Sequence, residues 1–172
     1  MKENISPDFL IKLKKLSQLY KSFPEGAGIE AENFSKERFI RKNWVNRTAE
    51  PWAKPKPVAD WVPKKWRKKR GSLMVDSGIL KVSVRTIRTT RNSVTVGTSV
   101  PYAQIHNEGG TINTTVNIKA FSRKRKGRSE KVKAHTRKRK AKIPQRKFIG
   151  ESAILLRRIE RYIEREIKEI LK

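Results

Sequence analysis

The feature that most constrains this chain is a run of positive charge in its second half. Residues 122–147 hold 14 Lys or Arg and one acid, and residues 64–70 hold six more and no acid. A block of like charges repels itself and cannot pack into a hydrophobic core. We therefore expect residues 121–143 to leave the body of the domain as a basic projecting hairpin or loop.

The rest of the composition is that of an ordinary globular domain. The 172 residues carry 43 Lys+Arg against 16 Asp+Glu, a net charge of +27, and most of that excess lies in the two basic stretches. This length predicts a single domain over residues 1–172.

The composition also excludes several classes of protein. With no cysteine, a disulfide scaffold and any thiolate metal site are excluded. No apolar run approaches the ~18 residues of a membrane span, and the start lacks a secretory h-region, so we expect no membrane association. These features predict a soluble protein from a reducing compartment with polyanionic or acidic partners.

Two N-terminal helices are predicted. Ser6 is placed as an N-cap, Pro7 as the first helical residue, and apolar residues follow at helical spacing until the helix ends before Pro24. A second helix is predicted from the glycines at 26 and 28 through Trp44.

Residues 50–63 form a Pro/Trp-rich segment. Prolines fix φ and remove backbone donors, so we expect an extended arm, with Trp52 and Trp61 packed on the core. After the basic stretch 64–70, residues 73–76 are interpreted as the end of a short helix that stops at Gly78.

Beyond Gly78 the apolar period changes to two. Residues 80–86 and 94–96 alternate as a β-hairpin, residues 112–120 as a third strand, and residues 132–136 as the returning arm of a long hairpin. Residues 143–150 also read as a strand.

Residues 151–171 carry apolar residues on one helical face, which predicts a C-terminal amphipathic helix packed across the sheet. The predicted fold is α+β. It consists of a small antiparallel sheet of four or more strands with a long basic hairpin, flanked by the N-terminal helices and the C-terminal helix.

Motifs for catalysis are weak. His106 and Glu108 are two residues apart without a third candidate ligand, which falls short of metal-site patterns, and we expect them to hydrogen-bond a tight loop. The sequence contains neither a Gly-x-Ser-x-Gly elbow nor a phosphate-binding P-loop. We therefore predict no catalytic residue, no metal, no cofactor and no enzymatic activity.

The basic stretches have two open interpretations. In the first they contact phosphates of nucleic acid in a salt-dependent, sequence-independent way. In the second they form a loop that is either solvated or docked on an acidic protein surface. Aromatic residues only flank the second stretch, which disfavours base stacking. The candidate contact residues are Lys64, Lys65, Arg67, Lys68, Lys69, Arg70, Arg123, Lys124, Arg125, Lys126, Arg128, Lys131, Lys133, Arg137, Lys138, Arg139, Lys140 and Lys142.

Several blocks together resemble the phage virion morphogenesis family, also described as tail-completion proteins. The most specific are Tyr-Ala-x-x-His-Asn-Glu-Gly-Gly at 102–110 and Pro-x-Arg-x-Phe-Ile-Gly at 144–150, followed by the terminal helix. The weaker blocks are Asn33 to Phe39, Trp44, Trp52, residues 77–83 and residues 94–97. The resemblance covers about residues 30–172, and the basic stretch 122–142 is longer and more charged than the motif requires.

The resemblance implies a non-enzymatic structural protein of the virion, at the head-to-tail junction or the end of the tail tube of a tailed phage or prophage. Its implied partners are tail-tube and head-tail connector proteins, and related neck and tail-terminator proteins form rings, commonly of six subunits. It implies the virion, and the host cytoplasm during assembly, as locations. The basic hairpin would line a channel for DNA or dock on acidic neighbours. The alternative function is a sequence-nonspecific nucleic-acid-binding protein.

The family-matched blocks supply a structural motif. We expect Tyr102 and Ile105 to pack inward, and Arg146 to pair with a carboxylate, Glu108 being the first candidate. The motif residues are Tyr102, His106, Asn107, Glu108, Gly109, Gly110, Pro144, Arg146, Phe148 and Gly150.

Overall fold

The computed structural model describes residues 6–55, 72–125 and 127–172. The basic stretch 64–70, Trp61 and Lys126 lie outside the described residues. The elements, in chain order, are α1 (Pro7–Arg41), β1 (Asn43–Val45), β2 (Ala49–Pro51), α2 (Ile79–Ser83), β3 (Arg85–Thr89), β4 (Val94–Gly97), α3 (Ala103–Glu108), β5 (Gly110–Ile118), β6 (Phe121–Arg125), β7 (Arg128–Val132), β8 (His135–Ile143) and α4 (Ala153–Leu171). The predicted α+β class is confirmed.

The two predicted N-terminal helices are one continuous helix, α1. Ser6 is its N-cap as predicted, and its hydroxyl accepts a hydrogen bond from the Phe9 backbone N–H at 3.2 Å. Pro24 lies inside the helix, where it removes one backbone donor, and it is buried. The prediction that the helix ends before Pro24 is wrong because packing of this region outweighs the lost hydrogen bond.

Gly26 and Gly28 were predicted to open a second helix, but they lie inside α1 and allow close packing of other elements. A Cβ added to Gly26 would lie within 2.6 Å of the Tyr162 side chain, and one added to Gly28 would lie 2.8 Å from Val94. Both glycines therefore allow other elements to approach the helix backbone. The helix ends at Arg41, before the predicted end at Trp44, because Lys42 adopts a left-handed conformation (φ 57°).

After α1 the chain forms a small hairpin that the sequence did not predict. Strands β1 and β2 pair antiparallel, and the Trp52 backbone N–H donates to the Lys42 carbonyl at 2.9 Å. Trp44 in β1 and Trp52 after β2 are both buried. The expectation that Trp52 packs on the core is confirmed.

The region around Gly78 differs from prediction. Residues 72–75 form a turn closed by the Val75 N–H and the Ser72 carbonyl, not the end of a helix. Residues 80–83, predicted as the start of a strand, belong to the short helix α2, which buries Leu80. Five residues are too few for apolar spacing to separate a helical turn from a strand. The strand begins at Arg85, and β3 pairs with β4 through the predicted hairpin.

Within the described residues, the strands form four separate two-stranded antiparallel sheets, β1–β2, β3–β4, β5–β8 and β6–β7. The expected single sheet of four or more strands is therefore wrong. The long basic hairpin is confirmed as the nested pairs β5–β8 and β6–β7, which keep one register from Gly110↔Ile143 to Arg125↔Arg128. The described residues place no third strand against this hairpin, since its strands are built almost wholly of exposed polar side chains.

The core lies where α1, α2, α3 and the segment before α4 meet. Phe39 contacts Trp52 edge-on, with ring centroids 5.6 Å apart, and Phe148 at 5.0 Å. Leu80, Val84 and Ala103 complete the buried cluster. Burial of these aromatic rings supplies most of the local hydrophobic stabilisation.

Helix α4 packs on α1, not across a sheet as predicted. The Arg158 guanidinium donates two hydrogen bonds to the Glu37 carboxylate, at 2.9 and 2.8 Å, and lies 5.4 Å from the Phe34 ring centroid. The hydrogen bonds from Arg158 lower the pKa of Glu37, although partial burial opposes the shift. Two features explain why α4 lies against α1. The absence of a side chain at Gly26 leaves room for Tyr162 of α4, and the Arg158–Glu37 ion pair joins the two helices.

Candidate interaction surface

The long hairpin is anchored at its base by Asn107. The Asn107 Oδ1 accepts hydrogen bonds from the Phe148 and Ile149 backbone N–H groups at 2.9 and 3.0 Å, and its Nδ2 donates to the Ile149 carbonyl at 3.1 Å. We call residues 144–150 the anchor loop. The predicted strand over 143–150 is wrong beyond Ile143, because a side chain rather than a neighbouring strand satisfies these backbone groups.

Helix α3, which precedes β5, and the anchor loop, which follows β8, are in close contact at the base of the hairpin. The Arg146 backbone N–H donates to the His106 carbonyl at 2.8 Å. Gly109 has φ +75°, and a Cβ there would lie 2.8 Å from the Gln145 backbone nitrogen. Only glycine combines this conformation with this approach. The chain can therefore enter β5 directly from α3 and return from β8 into the anchor loop.

Arg146 is buried but does not pair with Glu108. Its Nε and Nη2 donate to the Ala53 backbone carbonyl at 3.1 and 2.9 Å, while Glu108 accepts a hydrogen bond from Gln104 at 3.2 Å. The predicted ion pair is wrong because Glu108 lies on the exposed side of α3. Arg146 instead ties the anchor loop to the residues that follow Trp52.

His106 and Tyr102 also differ from expectation. The His106 Nδ1 is buried with no hydrogen-bond partner in the described part of the chain, so its side chain does not order the loop as predicted. Burial, and then the neighbouring charge of Arg146, lower the pKa of His106. Tyr102 is exposed and stacks edge-on against His106 at 6.0 Å, whereas Ala103 is the buried residue.

The register of β5 and β8 sorts the hairpin side chains into two faces. Directly paired residues share a face, and successive residues of one strand lie on opposite faces. Thr111 pairs with Lys142, Asn113 with Lys140 and Thr115 with Lys138. We call this side the lysine face; it comprises Thr111, Asn113, Thr115, Asn117, Thr136, Lys138, Lys140 and Lys142.

The opposite side of the same ladder has a different chemistry. Ile112 pairs with Ala141, Val116 with Arg137, and Ile118 with His135. We call this side the arginine face; it comprises Ile112, Thr114, Val116, Ile118, His135, Arg137, Arg139 and Ala141. Both faces lack acids, but apolar side chains occur only on the arginine face.

The outer ladder, β6–β7, has a similar division. One of its faces carries Phe121, Val132 and an ion pair between Arg123 and Glu130 at 3.0 Å. The other face carries only lysines and serines: Ser122, Lys124, Ser129 and Lys131. Gly127 has φ +80° at the connecting turn, a conformation suited to a tight hairpin.

The structure therefore brings together part of the predicted contact set. The Lys and Arg residues of β8 are all exposed and lie on one strand, separated into the two faces by their alternation. The Thr and Asn residues of β5 that flank the lysines were not predicted as contact residues. Their alternation at 111, 113, 115 and 117 is visible in the sequence, but only the register places them beside lysines.

The described residues contain no group of three His, Cys, Asp or Glu side chains arranged to hold a metal ion. None of the helices that the structure describes is both long and apolar enough to cross a membrane.

The hairpin therefore presents two chemically distinct exposed faces on an anchored base. The chain belongs to the phage virion morphogenesis family, whose model matches residues 34–168. The resemblance is thereby confirmed, and with it a role in phage particle assembly. No curated protein is significantly similar to the chain. No solved structure is significantly similar either.

Proposed function

We propose that this protein is a non-enzymatic structural component that completes the phage tail or joins it to the head, assembled as a ring. Family membership supports the assembly role. The observation that carries the finer proposal is the apolar surface of α1, which needs a partner. Tail-tube and connector proteins, together with further copies of this chain, are the proposed partners.

The exposed apolar surface lies on the first half of α1. Phe9, Leu10, Ile11, Leu13 and Tyr20 are each between 46% and 58% exposed. The second half of the same helix buries Phe34 and Phe39 completely. Phe9, Leu13 and Tyr20 fall on one side of α1 by their helical spacing, and exposed apolar patches mark interaction sites, so this side supports contact with another subunit or virion protein.

Net charge sets the conditions for assembly. A charge of +27 per subunit opposes self-association at low salt, because like charges repel over the ~10 Å Debye length at 0.1 M. We expect the isolated protein to be monomeric or weakly associated, and to form a ring when salt or a virion partner compensates the charge.

The test uses the matched variants Leu13→Asp and Gln18→Asp, which add the same charge at exposed positions of α1. Light scattering at low and high salt, with and without the tail-tube protein, measures assembly, and complementation of a phage lacking the gene measures incorporation into particles. Leu13→Asp should reduce incorporation at least about tenfold, as expected for loss of an apolar interface anchor, and Gln18→Asp should not. A chain that stays monomeric at every salt concentration and binds no virion component contradicts the proposal.

A second candidate is a sequence-nonspecific nucleic-acid-binding protein that acts outside the virion. The exposed lysine face favours it. Such a protein would be absent from purified particles, and the isolated chain would bind duplex DNA tightly with a steep dependence on salt. Presence of the chain in purified particles at a fixed copy number contradicts this candidate.

A further inference from the structure

The two faces of the β5–β8 ladder carry the same sign of charge in different chemical settings. On the lysine face, every partner of a lysine is a Thr or Asn. On the arginine face, Arg137 lies opposite Val116, and Ile112 lies opposite Ala141. The two basic residue types of one strand are thus sorted completely by face.

The lysine face has the composition of a phosphate-contact surface. Lys, Thr and Asn side chains are among those that donate hydrogen bonds to the DNA backbone, and such contacts carry no sequence information. Lys is a flexible point charge that needs no fixed partner geometry. Thr111, Asn113 and Thr115 add neutral donors directly beside the ammonium groups.

The spacing of the lysines also fits a nucleic-acid strand. Alternate residues of an antiparallel strand are about 6.8 Å apart, so the three lysines span roughly 13.5 Å. Over that distance one strand of B-DNA presents about four phosphates, at one per 3.4 Å of axis. A two-stranded β-ribbon is also an element that the major groove of B-DNA accommodates.

The arginine face is better suited to protein. Interface cores are enriched in Arg and depleted in Lys relative to the remaining surface. Val116 and Ile118 are half-buried, and Ile112 is exposed, so this face offers apolar area that a DNA backbone would not use.

We propose that the lysine face binds the sugar-phosphate backbone of duplex DNA, independently of sequence, and that the arginine face does not. This inference rests on the proposed function in one respect, since assembly in the neck or tail would place the hairpin beside the DNA path. The DNA contact itself is a property of the single chain and is measured separately from assembly.

The test compares two double variants of the full chain. Lys138→Gln/Lys140→Gln and Arg137→Gln/Arg139→Gln each remove two positive charges from neighbouring exposed positions of β8. All other basic residues are the same in both. Fluorescence anisotropy with a labelled 20-base-pair duplex of arbitrary sequence, measured from low to high salt, gives the affinity and its salt dependence.

We expect the lysine variant to lose roughly tenfold or more in affinity at 0.1 M salt, and the log–log salt slope to become shallower by about 1.8, at about 0.9 per lost phosphate contact. The arginine variant should change both values much less. Circular dichroism and thermal melting verify that both variants fold as the wild type does.

Three outcomes overturn the inference. Equal losses in the two variants would show that only total charge matters. Failure of the wild type to bind the duplex, or equally tight binding of poly-glutamate with the same response to the variants, would show that the lysine face has no preference for phosphate. Incorporation of the lysine variant into particles is measured in parallel. Normal incorporation of a wild-type chain that does not bind the duplex refutes this inference alone, whereas absence of the wild type from particles refutes the proposed function.

Discussion

The core and the long hairpin differ in what holds them together. In the core, the Phe39 ring contacts the rings of Trp52 and Phe148, and all three side chains are nearly or fully buried. The β5–β8 ladder has its own backbone hydrogen bonds but almost no buried side chain. A two-stranded hairpin alone is only marginally stable, so the hairpin depends on its anchored base.

This difference explains where the charge is found. A core position rejects Lys because burial of an unpaired ammonium costs several kcal/mol. An exposed ladder without a packing partner accepts any side chain that suits a strand, and β8 carries Arg or Lys at five of nine positions. The choice of side chains in the hairpin can therefore follow the needs of its binding partner, while packing restricts the choice of side chains in the core.

The strongest test of this contrast replaces one phenylalanine in each region by alanine. Phe148 is 1% exposed and Phe121 is 45% exposed. Phe148→Ala should lower the free energy of unfolding by about 3–5 kcal/mol, because it leaves a cavity in the core. Phe121→Ala should lower it by about 1 kcal/mol or less. Urea denaturation followed by tryptophan fluorescence measures both, and a similar loss for the two variants would abolish the distinction.

The next test concerns the boundary between the regions. Asn107→Ala leaves two backbone N–H groups and one carbonyl of the anchor loop without their partner. We expect a loss of about 2–3 kcal/mol, since each unpaired group keeps part of its desolvation cost. Hydrogen exchange should also accelerate along β5 and β8, because their base is released.

The matched control for this position is Asn117→Ala, an exposed asparagine in β5 itself. It should change stability by about 0.5 kcal/mol or less, as is usual for an exposed position. Unchanged exchange in the hairpin of Asn107→Ala would show that the anchor loop does not hold the base.

A smaller effect is expected at Arg146. Arg146→Ala removes two hydrogen bonds to the Ala53 carbonyl, which should cost about 1–3 kcal/mol. Arg139→Ala, exposed on the arginine face, removes the same charge and should leave the melting temperature nearly unchanged. Differential scanning calorimetry compares the two, and equal melting temperatures for Arg146→Ala and the wild type would contradict a structural role.

The sequence predicted the hairpin well because charge and alternation agree there. No core can accommodate residues 123–142, so local pairing was the remaining solution, and the register follows from one tight turn at Gly127. The terminal helix was predicted from its spacing alone. In both cases the decisive signal is local.

Predictions failed where distant packing decides. The continuous helix through Pro24 depends on Tyr162 and Val94 approaching its glycines, contacts that no local pattern contains. The anchor by Asn107 joins residues 41 and 42 positions apart, and the partner of Arg146 is a backbone carbonyl 93 positions away. A backbone carbonyl is present at every residue, so the sequence does not single out Ala53, and the prediction favoured an acid of the other family-matched block, Glu108.

The smallest expected effect compares an ion pair in each region. Glu37 accepts two hydrogen bonds from Arg158, and these lower its pKa below the ordinary value of 4.5. A group whose pKa is lower in the folded state stabilises the fold above its unfolded pKa, and that contribution is lost as pH falls through the folded pKa. Glu37→Gln should therefore lower the free energy of unfolding by up to about 1 kcal/mol at pH 7, with solvent screening limiting the value, and the difference from wild type should shrink below pH 4.5.

The matched variant Glu130→Gln, which breaks the exposed pair with Arg123, should lower it by about 0.5 kcal/mol or less at pH 7. Urea titrations at pH 7 and pH 3.5 measure these differences, and a Glu37→Gln deficit that is no smaller at the lower pH would exclude the ion pair as its cause.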